Sequence, residues 1–415
     1  PDCKKLIGEL PTDIIPESIF LHDDLYNLEA RLKQLFTASP FPKREAVEVL
    51  NNKVLAPSFR IIGGLKGQME ILEQQAQRIL TYEQERILAE TELDNRKLFL
   101  GAAGTGKTFL AIEKARRLAA QGKKVLLTCF NRNLATYMRQ LLPASVTVFN
   151  FHDYLIHALQ TAGETIEIPT ADGEKRIFFA ETLPDRAFCY FAELPEEEKF
   201  DALIVDEGQD FSEDWFLCLE AMLKKDGDFY AFADPGQTLF NKNLDFFKRL
   251  PISKQRLTRN LRNTEIINQW LADRFPTHTI KPLLRGGGAC RLFPWSSPAE
   301  EKKMVEGEVG RLVSQGIKPG DLVILSPNVK EKSSLAGMDR IKEWPLGDAF
   351  DTRINALRFC TIRSFKGLEA DIVLLIGIKE GTLACTPSDI YVGASRARFL
   401  LYIFHDMNYS LDDLG

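Results

Sequence analysis

Gly101-Ala102-Ala103-Gly104-Thr105-Gly106-Lys107-Thr108 follows the pattern G-x-x-x-x-G-K-[ST] between a short apolar strand and a helical stretch. Glycines at these positions let successive backbone N–H groups turn toward an anion at a helix N-terminus. Lys107 adds a point charge beside the β and γ phosphates, and Thr108 offers an oxygen to Mg²⁺. Further along, Leu203-Ile204-Val205-Asp206-Glu207 ends an apolar run with two acids. Nucleotide hydrolysis needs one carboxylate to hold a metal and a second to activate water, which assigns Asp206 to the metal and Glu207 to the water. Two acids after a strand are, taken alone, an ordinary solvated loop. Beside a phosphate loop they read as a hydrolytic pair.

The elements that must position these groups follow a strand–helix rhythm. Lys97–Leu100 runs into the glycine loop, a helix continues through Ala119, Lys124–Cys129 is a strand, a helix starts at Asn133, and Ser145–Phe149 is a strand. This is the βαβ rhythm of a parallel sheet. Residues 155–198 are acidic and irregular and read as an insertion, after which Ala202–Val205 resumes the sheet. A second lobe starts near Pro251, with strands at Asp321–Leu325, Arg358–Thr361, Asp371–Ile376 and Phe399–Phe404. Helical spacing at Leu25, Leu28, Leu32 and Phe36, and again from Leu65 to Leu88, makes the first eighty residues a helical N-terminal extension. The expected division is 1–79, 80–250 and 251–415.

Composition bounds the rest. With 415 residues, 45% hydrophobic and 27% charged, the chain is a globular protein of two or three domains. Fifty-three basic against 58 acidic residues give a net charge of −5, so any nucleic-acid binding must use local patches. Seven scattered cysteines without a C-x-x-C pair exclude a zinc ribbon and a disulfide framework, and are expected to be buried reduced thiols. There is no bilayer-length apolar run and no signal-peptide pattern, so a cytoplasmic protein with no membrane association is the expectation.

Asp206-Glu207-Gly208-Gln209-Asp210 resembles the D-E-x-Q-D motif of the UvrD/Rep-like superfamily 1 helicases. Other segments are similar to that family's motifs in order. Leu80-Thr81-Tyr82-Glu83-Gln84 resembles the adenine-reading motif, implying Gln84 on the base edge. Thr128-Cys129-Phe130-Asn131-Arg132 and Thr147 through His152 resemble the next two. Asp234-Pro235-Gly236-Gln237 implies Gln237 as the γ-phosphate sensor. Asn260-Leu261-Arg262, Thr361 through Glu369, and Tyr391 through Arg398 complete the set, implying Arg262 and Arg396 as arginine fingers and Glu369 as a ribose contact. The resemblance implies two RecA-like lobes in tandem, an α/β fold binding ATP and Mg²⁺ between them, and 3′-to-5′ movement on single-stranded DNA.

For nucleic acid, the expected contacts are Phe130, Asn131, Arg132, Phe151, His152, Phe240, Arg363 and Lys366, because single strands need rings for bases and cations for phosphates. Phe149 and Phe151 fit core positions at strand alternation equally well. After Gln237 the family carries an aromatic and a base-stacking tryptophan, whereas Thr238-Leu239-Phe240-Asn241 follows here, leaving Phe240 as the nearby ring. The stretch from Arg262 to Thr361 is too short for a large accessory domain. These departures keep open a regulatory ATPase switch that acts with a partner and does not unwind. The start at Pro1 and the short layout lead to the expectation of an upstream nuclease-related domain or partner. Residues 1–79 hold no acid–lysine nuclease constellation.

Overall fold

Strand residues of the first lobe alternate between two apolar layers. In the computed structural model, which describes residues 65–92, 94–234, 252–275, 281–284, 288–351, 353–380, 384–412 and 414, Leu98, Leu126 and Leu203 face one core while Phe99, Leu127 and Ile204 face another. A sheet covered on both faces reads as continuous apolar runs, and this one is parallel throughout among those residues. Its strands are β1 (Arg96–Gly101), β2 (Val125–Cys129), β3 (Val146–Asn150), β4 (Phe200–Val205), β5 (Leu223–Ala233) and β6 (Ser253–Leu257), in the order β3-β2-β4-β5-β1-β6.

Helix α1 (Leu65–Glu90) precedes the sheet and passes through the position expected to divide extension from lobe. At 1.5 Å per residue its 26 residues span about 39 Å. Met69 and Leu72 near its start join the core of the second lobe, and Ile87 and Leu88 near its end join that of the first. Helices α2 (Lys107–Ala120), α3 (Arg132–Leu141) and α4 (Phe151–Thr161) alternate with the strands.

The insertion is helical, contrary to the irregular reading of 155–198. It holds α5 (Asp172–Ile177), a π-turn (Phe178–Thr182) and α6 (Leu183–Glu193). Leu183, Ala187 and Phe191 fall on one buried face at helical spacing, a signal hidden in sequence by the charges between them. The Phe179 carbonyl in the π-turn accepts from His152 Nε2 at 2.8 Å. The adjacent Ala180 carbonyl accepts from Trp215 of α7 (Glu213–Ala221) at 2.9 Å.

The second lobe contains β7 (Arg259–Thr264), α8 (Glu265–Arg274), β8 (Lys281–Leu284), β9 (Ala289–Trp295), α9 (Pro298–Ser314), β10 (Leu322–Ser326), β11 (Arg340–Ile341), β12 (Trp344–Gly347), β13 (Leu357–Thr361), β14 (Ala370–Ile378), α10 (Pro387–Ala394) and β15 (Ala397–Asp406). Among the described residues its main sheet runs β11-β12-β13-β10-β14-β15-β9, with only the β11–β12 pair antiparallel. The α/β class and the two parallel-sheet lobes expected from the sequence are present. Val323, Leu325, Val373 and Leu375 share one continuous core with Phe99, Leu127 and Ile204 of the first lobe. Burial at roughly 25 cal/mol per Å² across such a shared layer holds the lobes together.

Of the described cysteines, Cys129, Cys218, Cys360 and Cys385 are buried as expected, but Cys189 lies on the solvent face of α6. No helix among the described residues is long and apolar enough to cross a membrane.

Candidate active site

β1 ends at Gly101, and the loop after it turns through Gly104 (φ +79°) and Gly106 (φ +83°) into α2, whose first residue is Lys107. Both angles lie in the left-handed region that favours glycine. A Cβ on Gly104 would also stand 2.5 Å from Asn260 Oδ1. No side chain caps α2 at Gly106, which leaves its first amides as an anion site. Lys107 Nζ donates to the Gly101 and Ala102 carbonyls at 2.8 and 3.0 Å and lies 3.6 Å from Asp234 Oδ2. Ala102, Ala103 and Thr105 complete the loop. The Ala103 amide donates to the Tyr391 hydroxyl of the second lobe at 3.4 Å.

Asp206 and Glu207 follow β4 and are fully buried. Glu207 has φ 53°, an uncommon conformation for a residue with a Cβ and of the sort that persists at functional sites. Its side chain accepts from Gln209 Nε2, while Gln209 Oε1 accepts from the Asp234 amide at 2.8 Å. Gln209 therefore ties the two acidic segments together. Burial works to raise the Glu207 pKa, but Lys366, Lys107, Arg396 and the Gln209 hydrogen bond outweigh it and hold the carboxyl below its ordinary range. Asp206 is shifted upward, first by burial and then by the Glu207 charge. Its Oδ2 is buried without a hydrogen-bond partner, and the Thr108 hydroxyl sits beside the same carboxyl and favours its ionised form. A buried carboxyl with an open oxygen beside a hydroxyl fits a divalent cation, whose charge would favour the ionised form.

A cavity of about 490 Å³ opens between the lobes, lined by Gly104, Gly106 and Thr108 on one side and Arg262, Glu369 and Arg398 on the other. Glu73 and Gln77 of α1 also line it. Arg262 donates from Nε to Glu369 Oε2 at 2.6 Å. Arg396 is fully buried, its guanidinium donating to the Val392 carbonyl at 3.0 Å and to Ser395 Oγ at 3.0 Å. Burial, and after it the neighbouring Arg262 charge, lowers the Arg396 pKa to about 10, with Glu207 and Asp234 close enough to oppose the shift. Two guanidinium groups close enough to repel, beside an uncapped helix start, suit a polyanion. Burial pushes the Glu369 carboxyl up, and Arg262, Arg398 and Arg396 bring it below its ordinary value.

Several sequence-derived nucleic-acid contacts are not brought to a common surface. Phe151 is 1% exposed and stacks on Trp215, and His152 is packed among Phe130, Phe179 and Trp215. Both belong to the core between α4 and the insertion, so neither presents a face to a strand. Lys366 is likewise buried, 2.7 Å from both Asp210 oxygens and 3.8 Å from Glu207 Oε2. Asn131 caps α3 through its Oδ1 and donates from Nδ2 to the Arg363 and Ser364 carbonyls of the second lobe. Arg132 and Arg363 stay exposed, forked onto Asp153 and Asp389 respectively. Phe130 is half-buried and stacks on Trp215 at 5.7 Å. Gln237 and Phe240 lie outside the described residues, as does the side chain of Gln84, whose backbone is in α1.

Sequence reasoning missed Gln209, Asp210, Tyr391 and Arg398. All four lie inside the motifs already quoted, so the signal was present; their partners were not.

Residues 84–241 match the family model of the AAA domain. Among solved structures the chain is similar to the PRRSV helicase, with 13% identity over 80% of this chain and 57% of that one at a TM-score of 0.41. It is also similar to Arterivirus nonstructural protein 10 (helicase) in complex with DNA, with 13% identity, 77% and 63% coverage and TM-score 0.39. A crystal structure of Arterivirus nonstructural protein 10 (helicase) gives 16%, 76% and 61%, and 0.37. The chain spans about three-fifths of the length of these proteins. The AAA-domain match holds both the phosphate loop and the Asp206–Asp210 run, so this part of the chain is similar to a phosphate-loop core.

Proposed function

We propose that the chain is an ATP-hydrolysing nucleic-acid motor of the UvrD-like superfamily 1 kind, acting on single-stranded DNA in the 3′-to-5′ sense. The observation that carries this is the meeting of charges from both lobes: Lys107 and Arg396 both act on the Glu207 carboxyl, Arg262 acts on Arg396, Thr108 stands beside Asp206, and Thr108 and Arg262 line one cavity. Lys107 exchanges its loop carbonyls for the β and γ phosphates. The uncapped α2 amides hold the same oxygens. Mg²⁺, when bound, neutralises phosphate charge, and Thr108 and Asp206 are the residues that would hold it. Glu207, kept ionised, orients water and takes its proton. Arg262 and Arg396 stabilise charge on the transferring phosphoryl. Gln237 as γ-phosphate sensor, and Gln84 and Glu369 as base and ribose contacts, complete the proposed set.

A second reading, a regulatory ATPase switch working with a partner or a fused nuclease-related domain, is favoured by the burial of Phe151, His152 and Lys366 and by the pairing of Arg132 and Arg363 with acids. ATP turnover measured alone and with single-stranded DNA, RNA or duplex tests both. Stimulation by single-stranded DNA together with strand displacement supports the motor, stimulation without displacement favours the switch, and no turnover sinks both.

A further inference from the structure

Four strand positions from β1 in the first sheet, about 19 Å at 4.7–4.9 Å per strand, β3 forms an edge. Against it lies a second cavity of about 410 Å³, walled by β3, α4 and α6 of the insertion. Its walls are rings. Phe149 stacks on His157 at 5.4 Å with 12° between planes and meets Tyr154 at 5.7 Å. Tyr154 lies parallel to Phe191 at 6.1 Å, and Tyr190 meets Phe191 edge-on at 5.1 Å. The Arg139 guanidinium covers Phe149 at 5.0 Å and also closes the strand edge by donating to the Val148 carbonyl at 2.6 Å.

A core would bury these rings and pair their polar tips. Here Phe149, Tyr154 and Tyr190 are only half-buried and His157 is exposed. Thr147, Tyr154, Tyr190 and His157 line the cavity. Lys124, Glu198 and Lys199 also line it, with Lys199 paired to Glu196 at 3.5 Å and Lys124 donating to the Glu198 carbonyl. Flat π-faces with polar ring atoms match a planar heterocycle better than an aliphatic side chain.

We infer that this pocket binds a nucleobase, stacked on His157 and Tyr190, at a site separate from the nucleotide cavity. The base can come from a free mononucleotide or from a single strand, and the shared chemistry is stacking plus hydrogen bonds to the base edge. The site does not depend on ATP hydrolysis.

The test uses the full chain and 2-aminopurine, whose fluorescence is quenched by stacking, as a 5′-monophosphate and within a short oligodeoxynucleotide. Quenching of both probes assigns a mononucleotide site, and quenching of the strand alone assigns a base within a strand. In either case His157→Ala/Tyr190→Ala should weaken binding at least tenfold while Lys107→Ala does not, and ATP turnover without nucleic acid should be unchanged in the double variant. His157→Trp, which keeps a ring at the wall, should retain binding and guards against a folding defect. The inference is overturned if neither probe is quenched, if the double variant binds within twofold of the parent, or if an abasic strand binds as tightly as the intact one.

Discussion

Lys366 Nζ stands 2.7 Å from each carboxylate oxygen of Asp210, joining side chains of opposite lobes at a point where both are buried. The same ammonium lies 3.8 Å from Glu207 Oε2. Closure of the second lobe on the first thus places a cation beside the proposed water-activating carboxylate.

Removing that cation should show in two ways. Lys366→Met removes the ammonium paired with the buried Asp210, a loss worth about 3–5 kcal/mol, whereas Lys366→Met/Asp210→Leu should recover much of the stability. The Glu207 carboxyl, facing Lys366, Lys107, Arg396, Asp206 and Asp210, should titrate at higher pH once Lys366 is gone. Only the ionised form acts, so the acid limb of the ATP-turnover profile moves to higher pH. Denaturation curves and that profile check both points, and an unmoved limb would remove Lys366 from the mechanism.

Lys107→Ala should weaken ATP binding, whereas Glu207→Gln should bind ATP normally and turn it over at least about 100-fold more slowly. One change removes phosphate charge and the other the base. Equilibrium binding and single-turnover hydrolysis separate them. A Glu207→Gln protein hydrolysing at the parental rate would end the assignment.

Arg262→Ala should lower turnover by about 10³-fold with little change in ATP affinity, since an arginine finger acts on transition-state charge. Arg396 is too buried for alanine to be a clean test, so Arg396→Lys is the matching change. It keeps charge but loses the fork that reaches both Val392 and Ser395. Comparable ATP affinity with a comparable fall in turnover is the expected pair of results.

Arg132→Gln and Arg363→Gln should each reduce the salt dependence of single-strand binding by about 0.7 in log–log slope, the share of one phosphate contact. Lys366→Met should leave that slope unchanged. Filter binding across a salt series decides it.

With few exposed rings among the described residues, stimulation by single strands but poor separation of a long 3′-tailed duplex is expected. Processive displacement by this chain alone would contradict that expectation.

The phosphate loop and its strand, the Asp206-Glu207 pair and the parallel β-rhythm were legible because each depends on neighbours in the chain. A glycine turn, an apolar run and a helix start are contiguous, and short-range sterics decide them. The helical insertion was obscured because charged residues between Leu183, Ala187 and Phe191 mask a face that only packing reveals.

The sequence by itself therefore determined the residues proposed to bind and cleave a phosphoanhydride, and the α/β framework that carries them. Tertiary structure decided which of those residues meet. Lys366 was read as a cation for a nucleic-acid backbone, and its destination is a carboxylate 156 positions away in the other lobe. Local spacing fits Phe151 to a stacking ring or a core position alike and His152 to a strand contact, and the insertion folds back over both. Whether a ring or a cation faces water or a core depends on which distant surface covers it, and local spacing carries no information about that surface.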